Sequence, residues 1–275
     1  MVELEQNRER IRRRGLGVAA ISYDSVAVLK SFADRKKITF PLLSDADSRV
    51  IRAWGIFNES SKPDSLSYGV PYPGTYILDT AGVVVSRYFE DDFSERVSAS
   101  DILVRQFGDV AAEATATTDG KHVRLTTAAS MAVARPGQRI ALSLELDLKP
   151  KMHVYAPGVE GYIPIEWKLD GGPMVKAHEF AYPASHKLRL KAIGETVPVY
   201  QGSVRLTRDI TFGPENALRP LLSPSGEVVL KESFRYQACD DRVCYPPETV
   251  PLQWRFPFEG LVRERAPAEL QRKVR

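Results

Sequence analysis

The sequence predicts an α/β half followed by an all-β sandwich half, and three observations carry that prediction. Over residues 17 to 107, short apolar runs alternate with stretches whose apolar residues recur at helical spacing. Beyond residue 121, strands of alternating polar and apolar residues follow one another, broken by Pro and Gly turns, as in a two-sheet sandwich. Between the halves, Gly108 to Lys121 is rich in Ala, Thr and Asp and has little periodicity. The expected division is therefore a domain over 1–110, a linker over 111–120, a second domain over 121–258 and a charged tail over 259–275.

In chain order, residues 1–14 read as one helix, with Glu3 and Glu5 at its positive end, arginines at its negative end and Gly15 as a stop. Gly17 to Ser22 reads as a buried parallel strand. Asp24 to Arg35 follows with Val26, Leu29, Phe32 and Ala33 at helical spacing. Phe40 to Asp45 gives another strand, Ala46 to Trp54 a helix stopped by Gly55, Gly74–Asp79 and Val83–Tyr88 a hairpin, and Ser94 to Phe107 a helix. In the second half, strands are expected over 123–127, 138–147, 165–168, 174–180, 204–212 and 227–237.

The only two cysteines of the 275 residues stand in Tyr236-Gln-Ala-Cys239-Asp-Asp-Arg-Val-Cys244-Tyr-Pro-Pro-Glu-Thr249. Alternating segments on either side predict a hairpin with the pair flanking its tip. Strands joined by so short a connection bring opposed Cα atoms to about 5.5 Å, which permits a disulfide. Two readings compete. A structural staple closing so small a ring contributes roughly 2 kcal/mol; an exchange pair needs an accessible sulfur, a nearby resolving thiol and a device that sets thiolate character. Arg242 lowers a neighbouring cysteine pKa and Asp240 and Asp241 raise it, so the sign of the shift stays open.

Composition excludes several classes. With 43% hydrophobic and 27% charged residues the chain is ordinary for a globular protein, and a net charge of +3 with interspersed signs argues against nucleic-acid binding. No apolar run approaches the roughly 18 residues that a membrane span requires. The four histidines, His122, His153, His178 and His186, lack metal-ligand spacing, so no metal and no organic cofactor are expected. No signal-peptide pattern occurs at the start.

The cysteine hairpin, with Tyr236-Gln-Ala-Cys239 before it and Cys244-Tyr-Pro-Pro-Glu-Thr249 after it, resembles that of the amino-terminal domain of DsbD, the bacterial thiol:disulfide interchange protein. The resemblance implies an immunoglobulin-like sandwich outside the cytoplasmic membrane. It implies catalytic Cys239 and Cys244, with Cys244 meeting a thioredoxin-like redox partner. Lys151-Met-His-Val-Tyr-Ala-Pro157 resembles that family's aromatic strand, placing His153 and Tyr155 beside the site, with Tyr236, Arg242 and Tyr245 also flanking it. A cap loop corresponds to Ala192-Ile193-Gly-Glu195 without the family's aromatic cap, so shielding is expected either to be weaker or to be done by Tyr200 or Tyr245. This hairpin has one residue fewer between its cysteines than the family pattern.

Ile21-Ser-Tyr-Asp24, Phe40-Pro-Leu-Leu-Ser-Asp45 and Gly69-Val-Pro-Tyr-Pro-Gly-Thr-Tyr-Ile-Leu-Asp79 resemble the AhpC/TSA redoxins, peroxiredoxin relatives with a thioredoxin-like fold. Pro73 then stands where a cis-proline is expected. Such proteins carry an attacking cysteine after an opening strand, and no cysteine precedes residue 239. The first half is therefore expected to be an incomplete, amino-terminally truncated thioredoxin-like domain, silent in peroxide reduction, rather than a docking platform. The expected function is thiol–disulfide exchange through Cys239 and Cys244. The alternative is a binding module whose structural disulfide docks a redox partner.

Overall fold

The computed structural model describes residues 1–60, 62, 65, 68–89, 95–108, 116–170, 172–190, 194–261 and 264–271. They form two compact units, Met1–Leu103 with Val262–Arg275, and Val104–Leu261.

The helix expected over 1–14 is broken into α1 (Val2–Gln6) and α2 (Arg8–Arg13). Asn7 sits between them at φ −94° and ψ 2°, its side-chain amide donating to the Glu3 carbonyl and accepting from Arg10. Side chains of this type offer the backbone alternatives to a continuous helix. β1 (Ala20–Ser22) and β2 (Leu42–Ser44) pair in parallel, connected through α3 (Val26–Lys36) as the alternating pattern requires. Ser25 caps α3 by accepting from the Val28 amide, and Lys37 ends it in the left-handed region.

β1 is not buried as its apolar composition suggested. Leu42 lines the side on which α3 places Leu29, whereas Ile21 and Leu43 are register partners on the other face, 39% and 51% exposed. A two-stranded parallel sheet with one covering helix can bury only one face.

α4 (Arg49–Ala53) starts later than read, because Ser48 takes a left-handed conformation and the Asp45 carboxylate accepts from the Val50 and Ile51 amides. β3 (Gly74–Leu78) and β4 (Val84–Phe89) form the expected hairpin, its turn closed by Asp79 Oδ1 accepting from the amides of Ala81 and Val83. After β5 (Arg96–Val97), α5 (Ala99–Phe107) begins where Glu3 accepts from the amides of Ala99 and Ser100. No cis peptide bond occurs among the described residues, so the cis-proline expectation for Pro73 is corrected to trans. Trans is the lower-energy isomer even before proline.

Unit 2 is the all-β part. Its strands are β6 (Ala116–Asp119), β7 (Val123–Ala129), β8 (Gln138–Leu148), β9 (His153–Tyr155), β10 (Glu166–Asp170), β11 (Val175–Ala177), β12 (His186–Leu190), β13 (Glu195–Gln201), β14 (Ser203–Phe212), β15 (Glu227–Tyr236), β16 (Ala238–Cys239) and β17 (Glu248–Pro257). A short helix, α6 (Glu215–Leu218), follows β14. β6 lies inside the stretch expected to be linker: its Thr-rich sequence has no apolar alternation, yet it adds to β7 at a sheet edge. Residues 174–180, read as one strand, hold a 3-10 turn over Gly172–Met174 and then β11. In the expected tail, Glu264 pairs with Arg35 and Lys36 within unit 1.

Two sheets, in the orders β11-β14-β8-β7-β6 and β10-β15-β17, enclose the main core. Alternation sends Ile140, Leu142, Leu144 and Leu146 of β8 inward, and likewise Val228, Leu230 and Phe234 of β15 and Val250, Leu252, Trp254 and Phe256 of β17. Across the core, Phe212 meets Phe256 edge to face at 5.4 Å, and Trp254 Nε1 donates to the Ala128 carbonyl at 3.0 Å. A third sheet, ordered β12-β13-β9-β16, carries the cysteine-bearing end.

Candidate functional site

β15 and β17 pair from Glu227↔Pro257 to Tyr236↔Glu248, so the hairpin is real, but its ladder ends before the cysteines. The chain then leaves that sheet, and β16 joins β9 instead, with Ala238 opposite Val154 and Cys239 opposite His153. The expectation that the cysteines would be opposed within the β15–β17 ladder is corrected accordingly. They face each other across a separate bridge, with Cα atoms 4.0 Å apart, and are disulfide-bonded.

Asp240 shapes the turn that brings them together. Its amide donates to the Val243 carbonyl, its Oδ1 accepts from the amides of Arg242 and Val243, and its Oδ2 accepts from the Tyr245 hydroxyl. Those donors, the Arg242 amide foremost, hold the Asp240 carboxyl below the usual range, and the same bond raises the Tyr245 phenol. Tyr245 also donates its amide to the Ala238 carbonyl and stacks on His122 at 4.2 Å. Asp240→Ala is expected to loosen the turn and make the disulfide a few-fold easier to reduce, read by equilibration against a glutathione series. An unchanged equilibrium would show that the carboxylate does not hold the pair together.

The two sulfur-bearing residues differ sharply in cover. Cys239 is 1% exposed, packed with Tyr155, Val197 and Val199, whereas Cys244 is exposed. The Tyr155 hydroxyl lies 3.6 Å from Cys244 Sγ. Tyr155 is buried, and burial raises its phenol pKa. Its ring packs against Tyr162 at 4.3 Å, and Tyr162 donates to Glu195 at 2.6 Å, which pushes the Tyr162 phenol up to about 12.

His153, expected beside the site, is 1% exposed and is the register partner of Cys239. Burial lowers its pKa, opposed by Asp241 and Asp240. Tyr236 is placed away from the pair: it belongs to the main core, and its hydroxyl donates to Glu248. Arg242 is exposed at the turn. Tyr200 cannot shield the disulfide, because it points into the main core and donates to the Pro183 carbonyl, while its neighbour Val199 lines the cysteine side. That is strand parity at work. Ile193 lies outside the described residues. Glu195 stands in the expected cap loop, but Tyr162 was not singled out by sequence; a tyrosine in an irregular loop carries no periodic signal, and only the ring packing reveals it.

No group of three His, Cys, Asp or Glu residues placed to hold a metal occurs among the described residues, and no described helix is long and apolar enough to cross a membrane.

Comparison with known proteins gives two family matches. Residues 1–87 match the AhpC/TSA family, and residues 122–252 match the family described as thiol:disulfide interchange protein DsbD, N-terminal. A peroxiredoxin-named protein of Mycobacterium tuberculosis is 40% identical over 75 residues, covering 27% of this chain and 47% of that one. Peroxiredoxin Q, chloroplastic, of Sedum lineare is 38% identical over 76 residues, covering 28% of this chain and 38% of that protein. The chain thus spans less than half the length of these relatives. The crystal structure of the N-terminal periplasmic domain of ScsB from Proteus mirabilis aligns at a TM-score of 0.35 and 15% identity, covering 54% of this chain and 52% of that one. Both matches and the disulfide fit a thiol–disulfide redox role. The chain joins a redoxin-like segment of AhpC/TSA type to an all-β domain of the DsbD amino-terminal type.

Proposed function

We propose that unit 2 exchanges disulfides with a thioredoxin-like protein outside the cytoplasm, through Cys244 and Cys239. The observation that carries this reading is the unequal cover of the pair: an exposed Cys244 bonded to a Cys239 that is 1% exposed. An exchange pair needs one sulfur that a partner can reach and another that resolves the mixed disulfide from within. When the chain donates electrons, the Cys244 thiolate attacks one sulfur of the partner disulfide and the other partner sulfur leaves as thiolate. Cys239 then attacks Cys244 Sγ, and the second partner thiolate leaves, so two electrons pass to the partner. The reverse sequence runs through the same mixed disulfide. The extracytoplasmic assignment is supported by the disulfide, which persists in oxidising compartments, and by the DsbD-type match. Residues 1–238 hold no cysteine and offer no thiolate for peroxide reduction.

Cys239→Ala is expected to convert a transient adduct into a stable one, with Cys244 held in a mixed disulfide to a redoxin partner on non-reducing gels, while the Cys239→Ala/Cys244→Ala variant gives none. Absence of any adduct from the single variant sinks the proposal. A redox titration separates exchange from a structural role, since structural disulfides sit below about −300 mV and exchange pairs above it.

A further inference from the structure

Exchange as described leaves unexplained a histidine buried against the covered cysteine. His153 on β9 is the register partner of Cys239 on β16. Opposed residues of an antiparallel pair project to the same face, with Cβ atoms about 4.5–5.5 Å apart. Tyr155, two residues further along β9, identifies that face: its ring meets His153 edge-on at 5.5 Å, and its hydroxyl reaches Cys244 Sγ. The imidazole is 1% exposed, yet neither Nδ1 nor Nε2 has a hydrogen-bond partner among the described residues. Buried polar atoms are nearly always paired, and leaving one unpaired is costly. A strand position that served packing alone would hold an apolar side chain without that cost. The cost is understandable when the partner exists only in another redox state. In the disulfide, Cys239 has no proton to give; once reduced, it presents a thiol donor beside the imidazole.

We propose that His153 is the general base of the resolving step, accepting the Cys239 thiol proton as that sulfur attacks Cys244 in the mixed disulfide. The inference rests on the exchange function above. The Cys239 S–H bond breaks and its proton passes to an imidazole nitrogen. The Cys239–Cys244 bond forms, the bond from Cys244 to the partner breaks, and the partner sulfur leaves with the electron pair. The imidazolium then returns the proton to the departing thiolate or to water, and no other oxidant or reductant takes part. A base is needed because Cys239 packs among Tyr155, Val197 and Val199, surroundings that disfavour a free thiolate. The groups acting on the imidazole are Asp241 and Asp240 from the turn, which favour its charged form, and burial and His186 of β12, which oppose it. Tyr155 and Cys239 also adjoin it. Burial is the largest of these influences, so the ring is neutral near pH 7, the form that takes up a proton.

The test uses the reduced full chain and an aromatic disulfide whose thiolate absorbs visible light. Attack by Cys244 releases a first coloured thiolate, and resolution by Cys239 releases a second. In His153→Gln the rate of the second release relative to the first is expected to fall about 100-fold, with loss of the imidazole inflection from its pH profile. An unchanged ratio with the wild-type pH profile overturns the role of His153 and leaves exchange standing. Absence of even the first release from the wild type overturns both. Should His153→Gln not fold, nitrogen NMR of histidine-labelled wild type decides. The ring nitrogens of His153 are expected to move on reduction while the imidazole stays neutral at pH 7, with one nitrogen protonated; unmoved resonances, or a charged ring, overturn the assignment.

Discussion

Trp254→Ala is expected to destabilise unit 2 by about 3–5 kcal/mol, the cost of removing a large buried aromatic from a packed core. Trp254 is 2% exposed, stacks on Trp167 at 6.0 Å, and ties β17 to β7 through its bond to the Ala128 carbonyl. Truncation therefore opens a cavity between the two sheets and removes a hydrogen bond between them. Native-state hydrogen exchange of β15 and β17 amides reads this loss for unit 2 separately from unit 1. A loss below about 1 kcal/mol would mean that the facing sheets close over the vacancy and that Trp254 does not hold them in tight packing.

Glu232→Gln is expected to stabilise the protein above neutral pH. Glu232 stands in the inward series of β15, between Leu230 and Phe234, and is only 5% exposed. It accepts from Trp167 Nε1, and Arg208 lies over the Trp167 and Phe180 rings at 4.9 and 4.7 Å. Burial dominates over those two favourable partners and pushes the Glu232 carboxyl up to about 7. The folded protein thus holds this proton more tightly than the unfolded chain, whose pKa is 4.5. The associated stability is fully present below pH 4.5 and is lost as pH rises through about 7. Glutamine keeps an acceptor for Trp167 and carries no charge. The stability difference, variant minus wild type, is expected to grow from its acid value by about 2–3 kcal/mol above neutral pH. Urea midpoints across that range check it, and parallel curves for the two proteins would mean that Glu232 does not titrate there.

Much of this molecule was legible before any coordinates. The alternation in residues 227–237 and 249–254 corresponds to the ladder of β15 and β17, and the apolar runs with an intervening helical pattern correspond to β1, α3 and β2. Other features escaped for identifiable reasons. β6 has no apolar alternation because it lies at an edge, and the break at Asn7 depends on a side chain that bonds the backbone of its own turn. Glu232 could have been found, since it interrupts an inward apolar series, but without the neighbouring strands a charged residue at that position reads only as an irregularity.

By itself the sequence determined that two cysteines with four residues between them stand beyond a hairpin and are the only sulfur pair available for exchange, because spacing and alternation are local properties. Tertiary structure alone decided which cysteine is covered, that His153 faces it, and that Tyr200 turns away. The first two outcomes follow from β16 pairing with β9 rather than continuing the hairpin, and the third from the register of β13 on β9. Such pairing is set by long-range register, and a shift of one residue would send every one of these side chains to the opposite face.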